Sequence, residues 1–590
     1  MDTFKFSDWN NEEFIENDLR LRKIALGEEE GELTGYPSKD KPWLKYYSEK
    51  HIEAELPHMT AYEYVKERNK DNLDGLAIDS LMGNFTYREL FENIEKTARA
   101  LYAFGTKKGK IVLAMLPVCP YESFLLYGVD RAGGAYSQLF EMMQPEQIID
   151  AINKYNSDIF FILDAFLSYE TEMAIYEKTN LKHIVSISLE PLKNRYERTI
   201  SWNEFIEQGK NVVIPEITRT PEDLFFLAST GGSTGEPKSV MLSDNCFNIV
   251  VHQLINSQLN RSKNDRSMRI WSLFTASCAV SNHHYTLCSM NTDVLREFPL
   301  NNNDVEKMII QEKANHLILL PQYIDILEHS DLLKKSDLHF IKSVGCGGVG
   351  ITREFDERIE EFLKKSNLDI NMGYGWGCTE NSSNASMRSC EGNSIIGSVG
   401  SPAVKTIVSV FEPNSTKELR FGESGELCIC SPTIMLGYYN DEKATSKIIK
   451  KHLDGKYWLH TGDLGIIDEN GIVTIKGRMS RTIFVFPGPK IYPQKVENLI
   501  AEVADVRQVA VCQMPDKEHD TFSIPVCFIV CKEGVNEDQV IESVKAHCEK
   551  NLPEYSRPAH IFNLDSLPLT VGGKPDVLIL EKWLADNVKV

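Results

Sequence analysis

Residues 224–228 are Leu-Phe-Phe-Leu-Ala, and the next ten are Ser-Thr-Gly-Gly-Ser-Thr-Gly-Glu-Pro-Lys, ending at Lys238. A short buried strand that opens into glycines and hydroxyl side chains can surround an anion with backbone N–H groups and hydroxyls. Gly231, Gly232 and Gly235 let the main chain approach phosphate oxygens closely. Thr230, Ser233 and Thr234 supply hydroxyl donors, and Lys238 supplies a positive charge. No Gly-Lys-Ser/Thr follows at Walker A spacing, so the loop is a phosphate cradle of another kind.

The flanking sequence provides the scaffold that such a loop needs. Helical patterns at 87–104 and 147–154 alternate with apolar runs at 111–116, 159–163 and 183–187. This alternation predicts parallel sheets covered by helices. A further buried strand is expected at 340–344, running out into Gly345-Cys346-Gly347-Gly348, and 309–320 reads as one buried element. Beyond residue 400, short strands at 406–411, 425–430 and 472–476 predict a smaller β-rich subdomain. Between Pro493 and Phe562 the pattern is helix, strand, strand, helix, strand, a compact α+β domain. The expected fold class is therefore α/β. It comprises a lead-in over 1–58 with a short helix, a large region over 59–478, and a small C-terminal α+β domain over 479–590.

With 85 acidic and 64 basic side chains the net charge is −21, unfavourable for nucleic acid or an anionic membrane surface. Any phosphate must be held by local donors. The 13 cysteines include no Cys-x-x-Cys pair, and the N-terminus lacks the pattern of a secretory or transit peptide. No apolar stretch reaches the ~20 residues of a membrane span. These features predict a cytoplasmic protein with reduced thiols.

The loop at 229–238 resembles the phosphate-binding signature of the adenylate-forming enzymes: acyl-CoA synthetases, adenylation domains of peptide synthetases and firefly-type luciferases. Gly231 stands where that signature has a second hydroxyl residue, and Ser239 where it has a glycine. Four further segments follow in the family's order. Gly-Tyr-Gly-Trp-Gly-Cys-Thr-Glu (373–380) resembles the aromatic-Gly-x-Thr-Glu motif. The resemblance implies that Trp376 stacks on adenine, Thr379 bonds near the α-phosphate and Glu380 holds Mg2+. Tyr-Trp-Leu-His-Thr-Gly-Asp (457–463) is similar to aromatic-x-Arg-Thr-Gly-Asp, which implies that Asp463 accepts both ribose hydroxyls; His460 replaces the arginine as a structural substitution. Gly-Arg-Met-Ser-Arg (477–481) resembles the hinge between the large and small domains, with Arg478 on ribose or phosphate and Ser480 at the pivot. Pro-Leu-Thr-Val-Gly-Gly-Lys (568–574) resembles the C-terminal loop whose lysine, here Lys574, bridges the substrate carboxylate and the α-phosphate. Gly347 and Gly348 resemble the adenine-side strand, and Gly425-Glu426-Leu427 a second family strand. Thr86-Tyr87-Arg88-Glu89-Leu90 matches an N-terminal signature read as structural.

The resemblance implies ATP-dependent activation of a carboxylic acid to an acyl-adenylate, with pyrophosphate released and the acyl group passed to a thiol. Cofactors are then ATP, Mg2+ and either CoA or the phosphopantetheine of a carrier protein. Adenylation domains for α-amino acids carry an aspartate early in the pocket helix; here 271–292 contains no acidic residue. A buried ammonium would lack its counter-charge, which favours a fatty, aryl or other non-α-amino acid. Thr275 occupies the position where acyl-CoA synthetases often have histidine, and His283 and His284 have pocket, core or surface as alternatives. Pro487 and Pro489 stiffen a segment that lines the thiol path in the family. An acid–CoA ligase is the leading reading. A free-standing adenylation enzyme that loads a carrier protein, and a non-catalytic nucleotide or acyl-adenylate sensor, are the alternatives.

Overall fold

A computed structural model describes residues 6–588, except 189–198, 216–218, 231–237, 258–260, 297–301, 320, 349–350, 352, 482, 486–489, 517–522 and 571–573. Two large sheets form the main body. In the eight-stranded sheet, Ile111–Met115 lies between Ala135–Gln138 and Ile159–Leu163, all parallel and buried. Strands covered on both faces need no polar alternation, which explains the continuous apolar runs. Leu224–Ser229 joins Ala135–Gln138 in parallel; it is followed by antiparallel Ser239–Ser243 and then by Gly437–Tyr438 from the far end of the main body.

The nine-stranded sheet has Arg266–Arg269, His316–Leu319, Ser343–Gly347 and Met372–Trp376 as parallel neighbours. The helices Tyr87–Ala103 and Pro120–Ala132 pack on each other and on strands of both sheets. Thr86 starts the first of these with a capping box: its hydroxyl accepts Glu89 N–H, and Glu89 accepts Thr86 N–H. Gly128 permits the close approach, since a Cβ there would lie 2.9 Å from the Thr97 methyl. Leu90, Ile94, Phe226, Leu317 and Met372 belong to one continuous core.

The β-rich region is a five-stranded antiparallel sheet that includes Ile407–Phe411, Gly425–Cys430, Tyr457–Ile467 and Val473–Arg478. The N-terminal segment is fastened to it. Its helix, Glu12–Leu26, is longer than expected, capped by Asn11 and ended by Gly27 at φ +73°. Trp9, Trp43 and Leu44 pack with Phe411, Cys428, Cys430 and Trp458. A buried ion pair, Lys41 to Asp18 at 2.6 Å, ties the segment to itself.

In the small C-terminal region Val506–Pro515 pairs antiparallel with Ser523–Cys531, which pairs parallel with His560–Asn563. Val511, Cys527 and Ile529 pack with the helices Pro493–Ala501 and Glu537–Asn551, while Ala510, Cys512 and Phe528 pack with Val577–Asn587. The α/β architecture with a β-rich region and a small α+β domain is thus as expected. Two details differ. The strand expected at 340–344 is Ser343–Gly347, so two glycines lie inside it. The element expected at 309–320 is the end of helix Asn302–Glu312 and the strand His316–Leu319, separated at Lys313 with φ +46°. No helix among the described residues is long and apolar enough to cross a membrane.

Candidate active site

The phosphate-loop stem is closed by two hydrogen bonds: Thr230 N–H to Lys238 O at 2.9 Å and Lys238 N–H to Thr230 Oγ1 at 3.0 Å. Ser229 and Ser239 face each other across the hairpin. Gly231, Gly232, Ser233, Thr234 and Gly235 lie outside the described residues. The Lys238 ammonium rests over the Tyr438 ring, 4.8 Å from its centroid.

Two parallel strands, Ser343–Gly347 and Met372–Trp376, meet at paired glycines. Gly345 pairs with Gly373 and Gly347 with Gly375, while Val344, Cys346, Met372, Tyr374 and Trp376 are buried. Four partly exposed glycines stand in two matched pairs; a Cβ at Gly345 or Gly373 would meet nothing within 3.5 Å, whereas one at Gly375 would already lie 3.0 Å from Asn384 Oδ1. Gly348, at φ +76°, turns the chain away.

At the end of the second strand, the turn Thr379–Asn381 carries Glu380. One carboxylate oxygen of Glu380 accepts the Tyr438 hydroxyl at 2.7 Å, and its carbonyl accepts Met435 N–H at 2.8 Å. A carboxylate with one oxygen so engaged can offer the other to Mg2+, which prefers one or two carboxylates with phosphate oxygens. Trp376 donates its indole N–H to Asp463 Oδ2 at 2.9 Å, and Arg478 donates to Asp463 Oδ1 at 2.7 Å. Asp463 and Arg478 are cross-strand partners, and the Asp463 N–H is held by Thr461 Oγ1 at 3.0 Å.

Lys574 reaches this group from the small domain. Its loop is closed by Thr570 N–H to Lys574 O at 2.7 Å. The side chain is exposed to solvent and lies within electrostatic range of Arg478, Asp463, Cys378 and Glu380. Desolvation first, and the Arg478 charge second, lower its pKa from the ordinary 10.5; Asp463 and Glu380 act in the opposite sense. The structure therefore brings Trp376, Asp463 and Arg478 into direct contact, with Glu380 and Lys574 within electrostatic range of that group. Between the two bodies, Arg478 is bonded to Asp463 while Arg481 is bonded to Glu497 at 2.5 Å and to Val511 O at 3.0 Å. Met479 and Ser480 span the gap on a short 3-10 turn.

Several residues lie behind the cleft rather than in it. His460 is buried, with Nδ1 2.8 Å from Glu426 Oε2 and Nε2 3.0 Å from His452 Nε2. Glu426 also accepts Gly462 N–H at 3.1 Å, so both its oxygens are satisfied. With Cys428 these ligand-type atoms lie within 4.8 Å of one another, a cluster accounted for by hydrogen bonding. His283 and His284 take core positions, bonded to Asp293 at 2.7 Å and to Asn248 at 2.9 Å. They belong to the π-helical turn Ser277–His284, behind which Arg269 meets Glu122 at 2.8 Å and Asp293 at 3.1 Å, fully buried. Burial pushes Glu122 up to about 7, against the pull of Arg269. Thr275 bonds to Ser277 at 3.2 Å. Glu141, from outside the 271–292 window, lies beside Ser272, and burial raises its pKa. Sequence reasoning missed Tyr438; a Gly-Tyr-Tyr run in a β-rich stretch carries no chemical signal by itself.

The chain matches the AMP-binding enzyme family over residues 65–439 and the AMP-binding enzyme C-terminal domain over 495–574. Among curated proteins it is 25% identical to 4-coumarate–CoA ligase 2 of Solanum tuberosum over 540 residues, covering 89% of this chain and 93% of the relative. It is 26% identical to a long-chain-fatty-acid–CoA ligase of Bacillus subtilis over 564 residues, covering 90% and 96%. Among solved structures it resembles the anthranilate CoA ligase AuaEII in complex with anthranoyl-AMP, with a TM-score of 0.79, 19% identity, and 91% and 100% of the two chains covered.

Proposed function

Because the chain belongs to the AMP-binding enzyme family, we propose that it activates a carboxylic acid with ATP and passes the acyl group to CoA. The observation that carries this reading is Asp463 held between Trp376 at 2.9 Å and Arg478 at 2.7 Å, with Lys574 and Glu380 within electrostatic range of Arg478. Forming an acyl-adenylate brings two anions together, so positioning and electrostatic stabilisation supply most of the rate. Asp463 receives the ribose diol, for which a carboxylate has two acceptor oxygens. Trp376 ends the second of the paired-glycine strands, where Gly347 and Gly348 complete an adenine slot. Thr379 bonds near the α-phosphate, and the hydroxyls and amides of Thr230 and residues 231–235 cradle the other phosphates with Lys238. Bound Mg2+, held by Glu380, would neutralise phosphate charge. The carboxylate oxygen attacks the α-phosphorus, pyrophosphate leaves, and Lys574 faces the charge shared between the two groups.

The acid belongs to the fatty or aryl class. Residues 271–292 themselves offer hydroxyls and thiols but no carboxylate, and Glu122 and Asp293 behind them are bonded to Arg269. The relatives named above are ligases of CoA, which favours CoA over a carrier protein as acceptor. For the second step the small domain, residues 479–590, pivots at Ser480, since Arg478 is anchored to one body and Arg481 to the other. A cytoplasmic setting goes with this reading, as expected from 13 scattered cysteines. Incubation with ATP, Mg2+, CoA and a panel of fatty, aryl and amino acids, read by mass spectrometry, tests it. The expected products are AMP and one class of acyl-CoA; AMP with an amino acid fixed to a carrier protein instead would overturn the acceptor and the acid.

A further inference from the structure

Tyr438 touches both charged ends of the proposed phosphate site. Its hydroxyl donates to Glu380 Oε1 at 2.7 Å, and its ring carries the Lys238 ammonium 4.8 Å from the centroid. The residue is 6% exposed, so its hydroxyl meets Glu380 away from bulk solvent, while the Lys238 side chain reaches its ring from an exposed position. Its backbone is tied to both partners' elements. Gly437 and Tyr438 pair with Met241 and Val240, on the strand that leaves the phosphate loop. Leu436 N–H donates to Met241 O at 2.9 Å, and Tyr439 N–H to Ser239 O at 2.8 Å. On the other side Met435 N–H holds the Glu380 carbonyl at 2.8 Å, and Ser382 Oγ donates to Thr433 O at 2.7 Å. Thr445 Oγ1 accepts Tyr438 N–H at 2.9 Å and fixes the strap from behind. Residues 433–439 thus join the loop stem to the Thr379–Asn381 turn, with Tyr438 at the centre.

We propose that Tyr438 is a positioning residue for nucleotide binding: it orients the Glu380 carboxylate toward the nucleotide's divalent cation and holds Lys238 apart from that carboxylate. The inference rests on the reading that Glu380 holds the cation. A carboxylate and an ammonium facing one phosphate site would otherwise neutralise each other, and neither would then be free for the cation or the phosphates. The phenol prevents this with two unlike interactions. Its O–H occupies one carboxylate oxygen and leaves the second available, and its negative ring face attracts the ammonium.

The test uses the full-length enzyme without any acid substrate, so that no turnover occurs. ATP is titrated calorimetrically at stepped Mg2+ concentrations, and AMP without Mg2+, into wild type, Tyr438→Phe, Tyr438→Leu and Glu380→Gln. Tyr438→Phe keeps the ring under Lys238 and loses only the hydroxyl. It should lose about ten-fold of the affinity that Mg2+ adds to ATP binding, the scale of one hydrogen bond to a charged group. AMP binding should be unchanged, and Tyr438→Leu should in addition weaken metal-free ATP binding. A normal Mg2+ response in Tyr438→Phe beside a lost one in Glu380→Gln would overturn the role of Tyr438 alone. A normal response in both would overturn the reading of Glu380 and this inference with it. Equal loss of AMP and Mg2+–ATP binding in Tyr438→Phe would reduce Tyr438 to a structural residue and also overturn it.

Discussion

Trp376 donates its indole N–H to Oδ2 of Asp463 at 2.9 Å, while Arg478 holds the other oxygen at 2.7 Å. The carboxylate assigned to the ribose is thereby oriented before a nucleotide arrives. Asp463→Ala removes the acceptor of both sugar hydroxyls and should weaken ATP binding about 100-fold, two charged hydrogen bonds at the lower end of their range. Trp376→Phe keeps a flat ring but frees Oδ2, and should weaken it about ten-fold. The two residues touch, so calorimetry on the double variant should show a loss smaller than the product of the single losses.

Lys574 should impose an alkaline limb on adenylation. An amine is charged below its pKa, and desolvation with the Arg478 charge lowers this one from 10.5. The charge needed for the first step is therefore lost at a lower pH than for a free lysine. Pyrophosphate exchange should fall on the alkaline side with a midpoint below 10.5, and Lys574→Arg, which stays charged, should remove that limb. An unchanged limb in Lys574→Arg would assign it to another group.

The pivot can be tested without touching the cleft. Ser480 lies on a short turn between Arg478 and Arg481, which are anchored to different bodies. Proline there restricts φ and should slow reorientation of the small domain. Ser480→Pro should retain most of the pyrophosphate exchange while CoA-dependent acyl transfer drops at least about ten-fold. Parallel loss of both steps would place Ser480 in the first step.

The buried charges behind the pocket wall make a stability prediction. Arg269 bonds both Glu122 at 2.8 Å and Asp293 at 3.1 Å, with all three side chains inaccessible to solvent. Arg269→Met leaves two carboxylates without their cation and should cost about 3–5 kcal/mol. Its urea transition should fall well below wild type, and Arg269→Lys should recover only part of the loss because it cannot bond both partners in one plane.

Much of this site was legible because its chemistry demands particular residue types close together in sequence. Thr379 and Glu380, Asp463, Arg478 and Lys574 each sit in a short run of glycines and polar residues, and in the folded chain Asp463 meets Arg478 with Glu380 and Lys574 within electrostatic range. The alternation of helix and apolar strand likewise announced the parallel sheets. What stayed hidden depends on distant contacts. Tyr438 meets Lys238 and Glu380 across 200 and 58 positions of sequence, and no local pattern marks such a meeting. His283 and His284 resemble pocket residues by position, yet Asp293, Asn248 and Tyr127 hold them in the core. The strand at Ser343–Gly347 was placed too early because glycines usually end strands; here they pair with Gly373 and Gly375 and continue the ladder. The N-terminal segment has no motif, and only its packing on Phe411, Cys430 and Trp458 shows where it belongs.

Acid-dependent exchange of labelled pyrophosphate into ATP, across fatty, aryl and α-amino acids, tests the central claim most directly. Exchange with a fatty or aryl acid should be clear, absent with α-amino acids, and reduced about 100-fold or more in Lys574→Ala, the scale of removing a transition-state charge partner. ATP binding without exchange for any acid would contradict the assignment of acid activation and favour a nucleotide-binding sensor.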